Sequence, residues 1–583
     1  KNVCADSDDE DAYTGEKSEI QAETDELRAT LTLINPPGWD TGEDAFGVGA
    51  NGERVDLREP KDASGKKLSW ADVRKLLANA AEGSETVTRS PSKPDEYPLD
   101  NLDPTQRVFA DRVLQWGRDL VDCYRQSAGD GKPRDLPLFR SWLCGSAGSG
   151  KSTTLKTIVH HLRLFFAEAE VPAKVELTAY TGVAAFNIGF GARTTCSGFQ
   201  IFPNAQWKSE LVCRKAQSLE DRWRHVELLV VDEISFIGRA LLYKMHLRLQ
   251  QGRRAHFSET ATLPEFQEFG SISIILVGDC GIDDFSLCEL APDYKKCPKK
   301  LQHLWKHANL GQSLASCFDE AVLVKRVHRS REDAWWTESC LLLRNISEES
   351  IEKFNENYSY WREHDLDRGH FNEEQKKYFN DKAVWLCARC QDVGTRNGRK
   401  LAHLAQDTSE AVHRIQAVHS VMSASKRSSD AFSGLRSVIN LVRNCMVMIP
   451  RNVAYLYGLA NGTRGFLVGI IYPEGAPIGV FPEVIVVDVP DYRGPVFYPG
   501  YPTWVPIFAM TERQGNQTRT QFPIVAGFAM TVNKSQGLTI KEGVVINLQG
   551  SAKFKPASKH GLPFVAWTRS ESFAMTAFKN IPP

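Results

Sequence analysis

The sequence predicts an α/β protein: two α/β domains, with a small all-β insertion in the second. Three observations predict it. From about residue 96 onward, short apolar strands alternate with helical patterns, the signature of a parallel sheet covered by helices. Between 465 and 525 the texture changes to β-branched residues broken by Gly and Pro, as in "FPEVIVVDVPDYRGPVFYPGYPTWVPI". At 583 residues the chain is also too long for a single core.

Taken in order, residues 1–95 are rich in Asp, Glu, Gly, Ser and Pro and read as an acidic, mostly disordered tail and linker, with only 69–82 ("SWADVRKLLANAAE") helical. Residues 96–320 form the first α/β domain, with strands expected at 139–143, 175–179, 226–231 and 272–277 and a small insertion near 198–222. Residues 321–464 and 526–583 form the second, with strands expected at 446–449, 544–548 and 564–567. The β insertion is 465–525.

The composition, 42% hydrophobic and 25% charged, excludes a disordered or fibrous chain. No apolar run approaches the roughly 18 residues of a membrane helix, so no membrane span is expected. The start, "KNVCADSDDEDAY", has no apolar signal-peptide core and begins at Lys, which reads as a fragment. Residues 1–26 carry ten acids against two lysines, which leaves the rest of the chain mildly basic. A nucleic acid would therefore bind in a local groove rather than through bulk charge. The 13 scattered cysteines fit reduced thiols. Cys387 and Cys390 form the one CxxC pair and lack a second ligand pair for zinc.

The chemistry begins at "CGSAGSGKSTTLKTIVHHL", which holds G-x-x-x-x-G-K-S from Gly145 to Ser152 between a strand and a helical pattern. Glycines such as Gly145, Gly148 and Gly150 let backbone N–H groups turn toward phosphate, and the helix N-terminus adds partial positive charge. Lys151 is expected to reach the β and γ phosphates, and Ser152, followed by Thr153, to hold Mg²⁺. The strand "VELLVVDEIS" delivers Asp232, which would bind Mg²⁺, and Glu233, which would orient an attacking water. The bland alternatives are a glycine-rich turn and a solvated acidic turn. ATP and Mg²⁺ are the expected cofactors.

With "VVDEIS", the stretches "TAYTGVAAFNIG" (178–189), "YGLANGTRG" (457–465), "TVNKSQGLT" (531–539) and "VAWTRS" (565–570) resemble, in order, the petite-integration-frequency family of superfamily 1, RecD-like DNA helicases. The resemblance spans about 100 to 580. It implies two RecA-like P-loop NTPase domains, an SH3-like β insertion, and ATP-driven 5′-to-3′ movement on single-stranded DNA. It makes Gln106 of "LDPTQR" an adenine reader, and Arg329 and Arg569 arginines reaching the γ-phosphate from the second domain. Asp279, Gln536 and Gly537 join the nucleotide set; Thr178, Thr181, Gly182, Lys534 and Ser535 meet the DNA backbone. Tyr180 and Phe199 are candidates for base stacking, with ordinary packing the alternative. The CxxC pair then falls on an ordinary strand and loop.

The third motif departs from the family: Ile282 stands where a γ-phosphate-sensing glutamine is usual, and Asp283-Asp284-Phe285 replaces Leu-Pro-Pro. Isoleucine cannot hydrogen-bond phosphate. Asn533 and Cys196 stand at usual histidines, and Trp567-Thr568 replaces Leu-Ser. The leading expectation is a helicase acting on single-stranded and forked DNA in repair, recombination, replication or telomere maintenance, as a nuclear monomer, with mitochondria the rival compartment. The alternatives are a degenerate ATP-binding scaffold that clamps DNA without unwinding, and the helicase module of a rolling-circle transposon. The basic cluster "YKKCPKK" (294–300) is a nuclear-import or phosphate-contact candidate, with a solvated loop as the default.

Overall fold

The computed structural model describes residues 18–29, 45–49, 51–82, 97–130, 138–201, 207–258, 268–279, 302–318, 320–344, 350–475, 480–549 and 561–581. The chain divides into two compact units, one holding Thr86–Arg331 and the other Ala5–Glu85 with Glu332–Pro583.

In the first unit six strands form one sheet in the spatial order Arg193–Thr194, Lys174–Ala179, Val226–Asp232, Ser273–Gly278, Arg140–Gly145, Glu320–Val324. Every pairing is parallel. The central strand Val226–Asp232 is buried along its whole length, as expected of a strand covered on both faces. Its Leu229 and Val231 pack with Leu242, Met245 and Leu249 of the helix Arg239–Ser258. Strand Glu320–Val324 completes this sheet beside Arg140–Gly145, so the first unit runs past the expected boundary at 320. Around the expected insertion, helices Thr195–Phe199 and Cys213–Trp223 pack through a Phe199–Trp223 stack at 4.8 Å.

The second unit has a parallel sheet in the order Ala529–Thr531, Val384–Cys387, Val544–Asn547, Thr576–Phe578. A five-stranded sheet follows the order Trp504–Ile507, Val484–Asp488, Arg464–Ile471, Met446–Met448, Val525–Ala526, with antiparallel pairing throughout. The fold class is thus α/β, two RecA-like domains with a small β domain set into the second.

Three expectations are corrected. Residues 446–449 belong to the antiparallel sheet, because Met446–Met448 pairs with Arg464–Phe466 across the "NGTRG" turn; a four-residue apolar run does not reveal its partner. Residues 564–567 lie in a helix, Leu562–Trp567, started by Pro563 in its first turn. The segment after the CxxC strand is a helix, Cys390–Thr408, rather than a loop.

The acidic tail is also corrected. Residues 18–29 form a helix whose Glu19 and Glu23 are buried in the second unit. Glu19 pairs with Arg436, and the Asn440 amide donates to Glu23 at 2.7 Å. Gly394 and Gly398, four apart on helix Cys390–Thr408, admit this helix: a Cβ on them would meet the carbonyl oxygens of Glu19 and Glu23 at 2.0 and 2.4 Å. Further on, the hairpin Phe46–Val48/Arg54–Asp56 and the helix Trp70–Glu82 lie against the β domain, with Tyr498 donating to the Leu57 carbonyl at 2.9 Å and Trp70 edge-on to Phe508.

Candidate nucleotide site

The glycine loop, Asp232 and Asp279 sit at the carboxyl edge of the first unit's sheet, where open α/β sheets place ligands. Strand Arg140–Gly145 runs into the glycine loop, then into helix Lys151–Glu168. Register sets Cys144 opposite Gly278, which brings Asp279 beside the loop, and Ala179 opposite Asp232. Gly148 and Gly150 have φ of 80° and 82°, a region that glycine enters without a steric cost. Gly150 caps the helix with no side-chain acceptor, which leaves the first-turn amides to an anion.

Lys151 Nζ donates to the carbonyls of Gly145 at 2.7 Å and Ser146 at 2.9 Å. Burial pushes its pKa below the usual lysine value, opposed by the charges of Asp232, Asp279 and Glu233. Ser152 and Thr153 lie exposed on the first turn of that helix. Asp232 is buried, and its carboxylate accepts from the Glu233 amide at 2.9 Å. Burial, with the neighbouring Glu233 charge, pushes it up to about 7. A buried carboxylate next to a half-buried one fits a divalent cation, which would relieve their repulsion.

Gln106 is buried, with Nε2 donating to the Ser149 carbonyl at 3.0 Å. Arg329 belongs to the first unit, not the second as expected: its amide and that of His328 donate to the Gly148 carbonyl at 3.2 and 2.7 Å. Asp103 and His328, 3.3 Å apart, are site residues missed by the sequence reading. The Asp-Pro at a helix start was a readable signal for Asp103; nothing local marks His328. Asp279 is buried at the strand tip. Ile282, Asp283-Asp284-Phe285 and the cluster 294–300 lie outside the described residues.

The expected DNA contacts divide. Tyr180 is 37% exposed and stacks on Phe236 at 5.3 Å. Phe199 is fully buried in the core, so the base-stacking expectation for it is corrected. Thr178 is also fully buried inside the sheet, which corrects its expected backbone contact. Thr181 caps the helix Gly182–Ile188 by accepting from Ala184 N–H at 3.2 Å, and Gly182 is buried at its first position.

In the second unit Lys534 is exposed, while Ser535 is buried and donates to the Val532 carbonyl at 2.7 Å, so a phosphate contact from Ser535 is corrected too. Gln536 is half-buried, and Gly537 turns with φ 79°. Arg569 is buried and donates to the carbonyls of Val565, Ser535 and Leu538 at 2.9, 3.2 and 3.1 Å. Burial raises the pKa of both the Cys387 and Cys390 thiols. Among the described cysteines eight are free.

With this geometry in hand, residues 139–282 match the model of the PIF1-like helicases. Over that stretch the chain is similar to the PIF1-like helicases. The human ATP-dependent DNA helicase PIF1 is 26% identical over 416 residues, covering 68% of this chain and 52% of that protein. The Candida albicans ATP-dependent DNA helicase PIF1 is 34% identical over 138 residues, 23% of this chain and 13% of that protein. The chain thus spans about half the length of the human relative at most.

Among solved structures, the Candida albicans Pif1 helicase superposes with a TM-score of 0.53 at 21% identity, covering 82% of this chain and 94% of that one. A Pif1 structure described as unwinding forked duplex DNA gives 0.50 at 19%, covering 82% and 92%. These likenesses carry the fold. The PIF1-like match covers the phosphate loop, Asp232, Glu233 and Asp279, and stops at Ile282.

Proposed function

We propose that the chain is the motor of an ATP-dependent DNA helicase that moves 5′-to-3′ on single-stranded DNA. The observation that carries this reading is the phosphate loop, with Lys151 held at its centre under the charges of Asp232, Asp279 and Glu233. Loop amides and the helix N-terminus bind the phosphates, and Lys151 moves from loop carbonyls to phosphate oxygens. Asp232 and Ser152 would hold Mg²⁺, which when bound supplies charge neutralisation at the phosphate oxygens. Glu233, the next residue along, orients the attacking water. Its φ of 56° turns the chain sharply after the strand.

Exposed Tyr180 and Lys534 suit a single strand, one by stacking and the other by phosphate contact. The human relative's name supports DNA as the substrate, and the forked-DNA description of the solved structure supports a fork. Roles in repair, recombination, replication or telomere maintenance, in the nucleus and as a monomer, belong to the same reading. Hydrolysis measured with and without single-stranded DNA, then unwinding of substrates with 5′ or 3′ overhangs, tests it; unwinding only from 3′ overhangs would overturn the polarity.

A second reading, a nucleotide-binding clamp that does not unwind, is favoured by Arg569. Its guanidinium donates to the carbonyls of Val565, Ser535 and Leu538 and to the Thr568 hydroxyl, all in its own unit.

A further inference from the structure

Asp103, Gln106 and His328 close a ring of hydrogen bonds around the turn of the phosphate loop. Asp103 Oδ1 accepts from the backbone N–H groups of Thr105 at 2.9 Å and Gln106 at 3.0 Å, capping the helix Pro104–Asp130. Its Oδ2 lies 3.3 Å from His328 Nε2, and the carboxylate of Asp103 is only 6% exposed. The backbone of His328 donates to the Gly148 carbonyl at 2.7 Å. On the other arm Gln106 Nε2 donates to the Ser149 carbonyl at 3.0 Å, and its Oε1 accepts from the Asp103 N–H at 3.1 Å.

A carbonyl cannot donate and a backbone N–H cannot accept, so the Gln106 amide has one permitted orientation. Both arms meet over Gly150, where a Cβ would lie 2.5 Å from Gln106 Nε2 and 3.2 Å from His328 Cδ2. One N–H of Nε2 and one lone pair of Oε1 are left over, side by side in a fixed order. That order matches an adenine edge, which presents an acceptor (N7) beside a donor (the 6-amino group). It mismatches guanine, whose O6 would face Oε1.

We propose that Asp103 and His328 are positioning residues for purine selection. They tie the amide of Gln106 and the carbonyls of Gly148 and Ser149 into one rigid frame, so that the choice of ATP over GTP depends on residues that touch neither base. The inference rests on the nucleotide-site reading above.

The test uses the full chain with single-stranded DNA, comparing ATP and GTP hydrolysis and the binding of fluorescent ATP and GTP analogues for the parent, His328→Ala, His328→Gln and Asp103→Ala. In His328→Ala, KM for ATP is expected to rise roughly tenfold, about the loss of one charge-assisted hydrogen bond. KM for GTP and kcat should move less than about threefold, so the preference for ATP contracts. His328→Gln, which can still donate to Asp103, should recover most of the preference, and Asp103→Ala should lose it. Equal rises in KM for both nucleotides, or His328→Gln behaving like His328→Ala, would overturn the inference in favour of plain loop support. A parent chain that binds both analogues equally overturns it while leaving the nucleotide site intact. A parent that binds neither overturns the site reading itself.

Discussion

The guanidinium of Arg569 donates to the main-chain carbonyl of Ser535 at 3.2 Å. It thereby braces the "NKSQG" turn against the helix Leu562–Trp567, with further bonds to Leu538 and Val565. An arginine expected to serve nucleotide chemistry is thus also a structural tie between two motifs of its own unit.

Removing it strands buried carbonyls. Arg569→Ala is expected to destabilise the chain by about 2–4 kcal/mol, seen as a lower thermal midpoint, and to abolish DNA-stimulated turnover. Lost turnover with an unmoved midpoint would instead separate catalysis from bracing.

Tyr180 and Phe199 should behave oppositely. Phe199 is fully buried and stacked on Trp223, so Phe199→Ala is expected to cost about 3–5 kcal/mol of stability. Tyr180→Ala, at an exposed ring, should change stability by under about 1 kcal/mol and weaken binding of an oligothymidylate by about 1–3 kcal/mol. Fluorescence anisotropy and urea unfolding on both variants check this. An unchanged affinity in Tyr180→Ala would remove it from the DNA path.

The N-terminal helix carries a pH dependence. Glu23 faces Arg436, Asn440, Glu19 and Arg414, and burial pushes it up to about 7 despite Arg436 and Asn440. Its folded pKa exceeds the ordinary value of 4.5, so the fold holds the proton more tightly than the unfolded chain. The resulting penalty is absent below about pH 4.5, grows up to about 7 and is complete above it. Glu23→Gln should therefore stabilise the chain by about 1–3 kcal/mol at pH 8, with the advantage shrinking toward pH 5. A gap in melting midpoint that does not vary with pH would contradict the assignment.

Docking of that helix depends on the two glycines. In Gly394→Leu the side chain would collide with the Glu19 backbone, so residues 18–29 are expected to lose protection in hydrogen exchange while the strand Val226–Asp232 keeps its own. Retained protection of residues 18–29 would show that the close approach is dispensable.

The legible parts of this chain are those whose function needs local sequence. Gly145–Ser152 and the strand ending in Asp232 can be read directly, because a phosphate loop needs glycines, a lysine and a strand–turn–helix within a dozen residues. Phe199 was ambiguous because an aromatic in a short helix looks alike whether it faces a base or Trp223. The acidic stretch misled because composition averages over residues: Glu19 and Glu23 look solvated until the chain supplies Arg436 and Asn440 over 400 positions away. His328 reaches Asp103 across 225 residues, a distance no local pattern encodes. Helix Leu562–Trp567 reads as a strand because four apolar residues in a row fit either form.

The most direct test of the central claim is ATP hydrolysis by the full chain, with and without single-stranded DNA, with Lys151→Ala as the blank. The motor reading predicts strong stimulation by DNA that disappears in the Lys151→Ala chain. Tight nucleotide binding with turnover that DNA does not change would contradict it and leave the clamp.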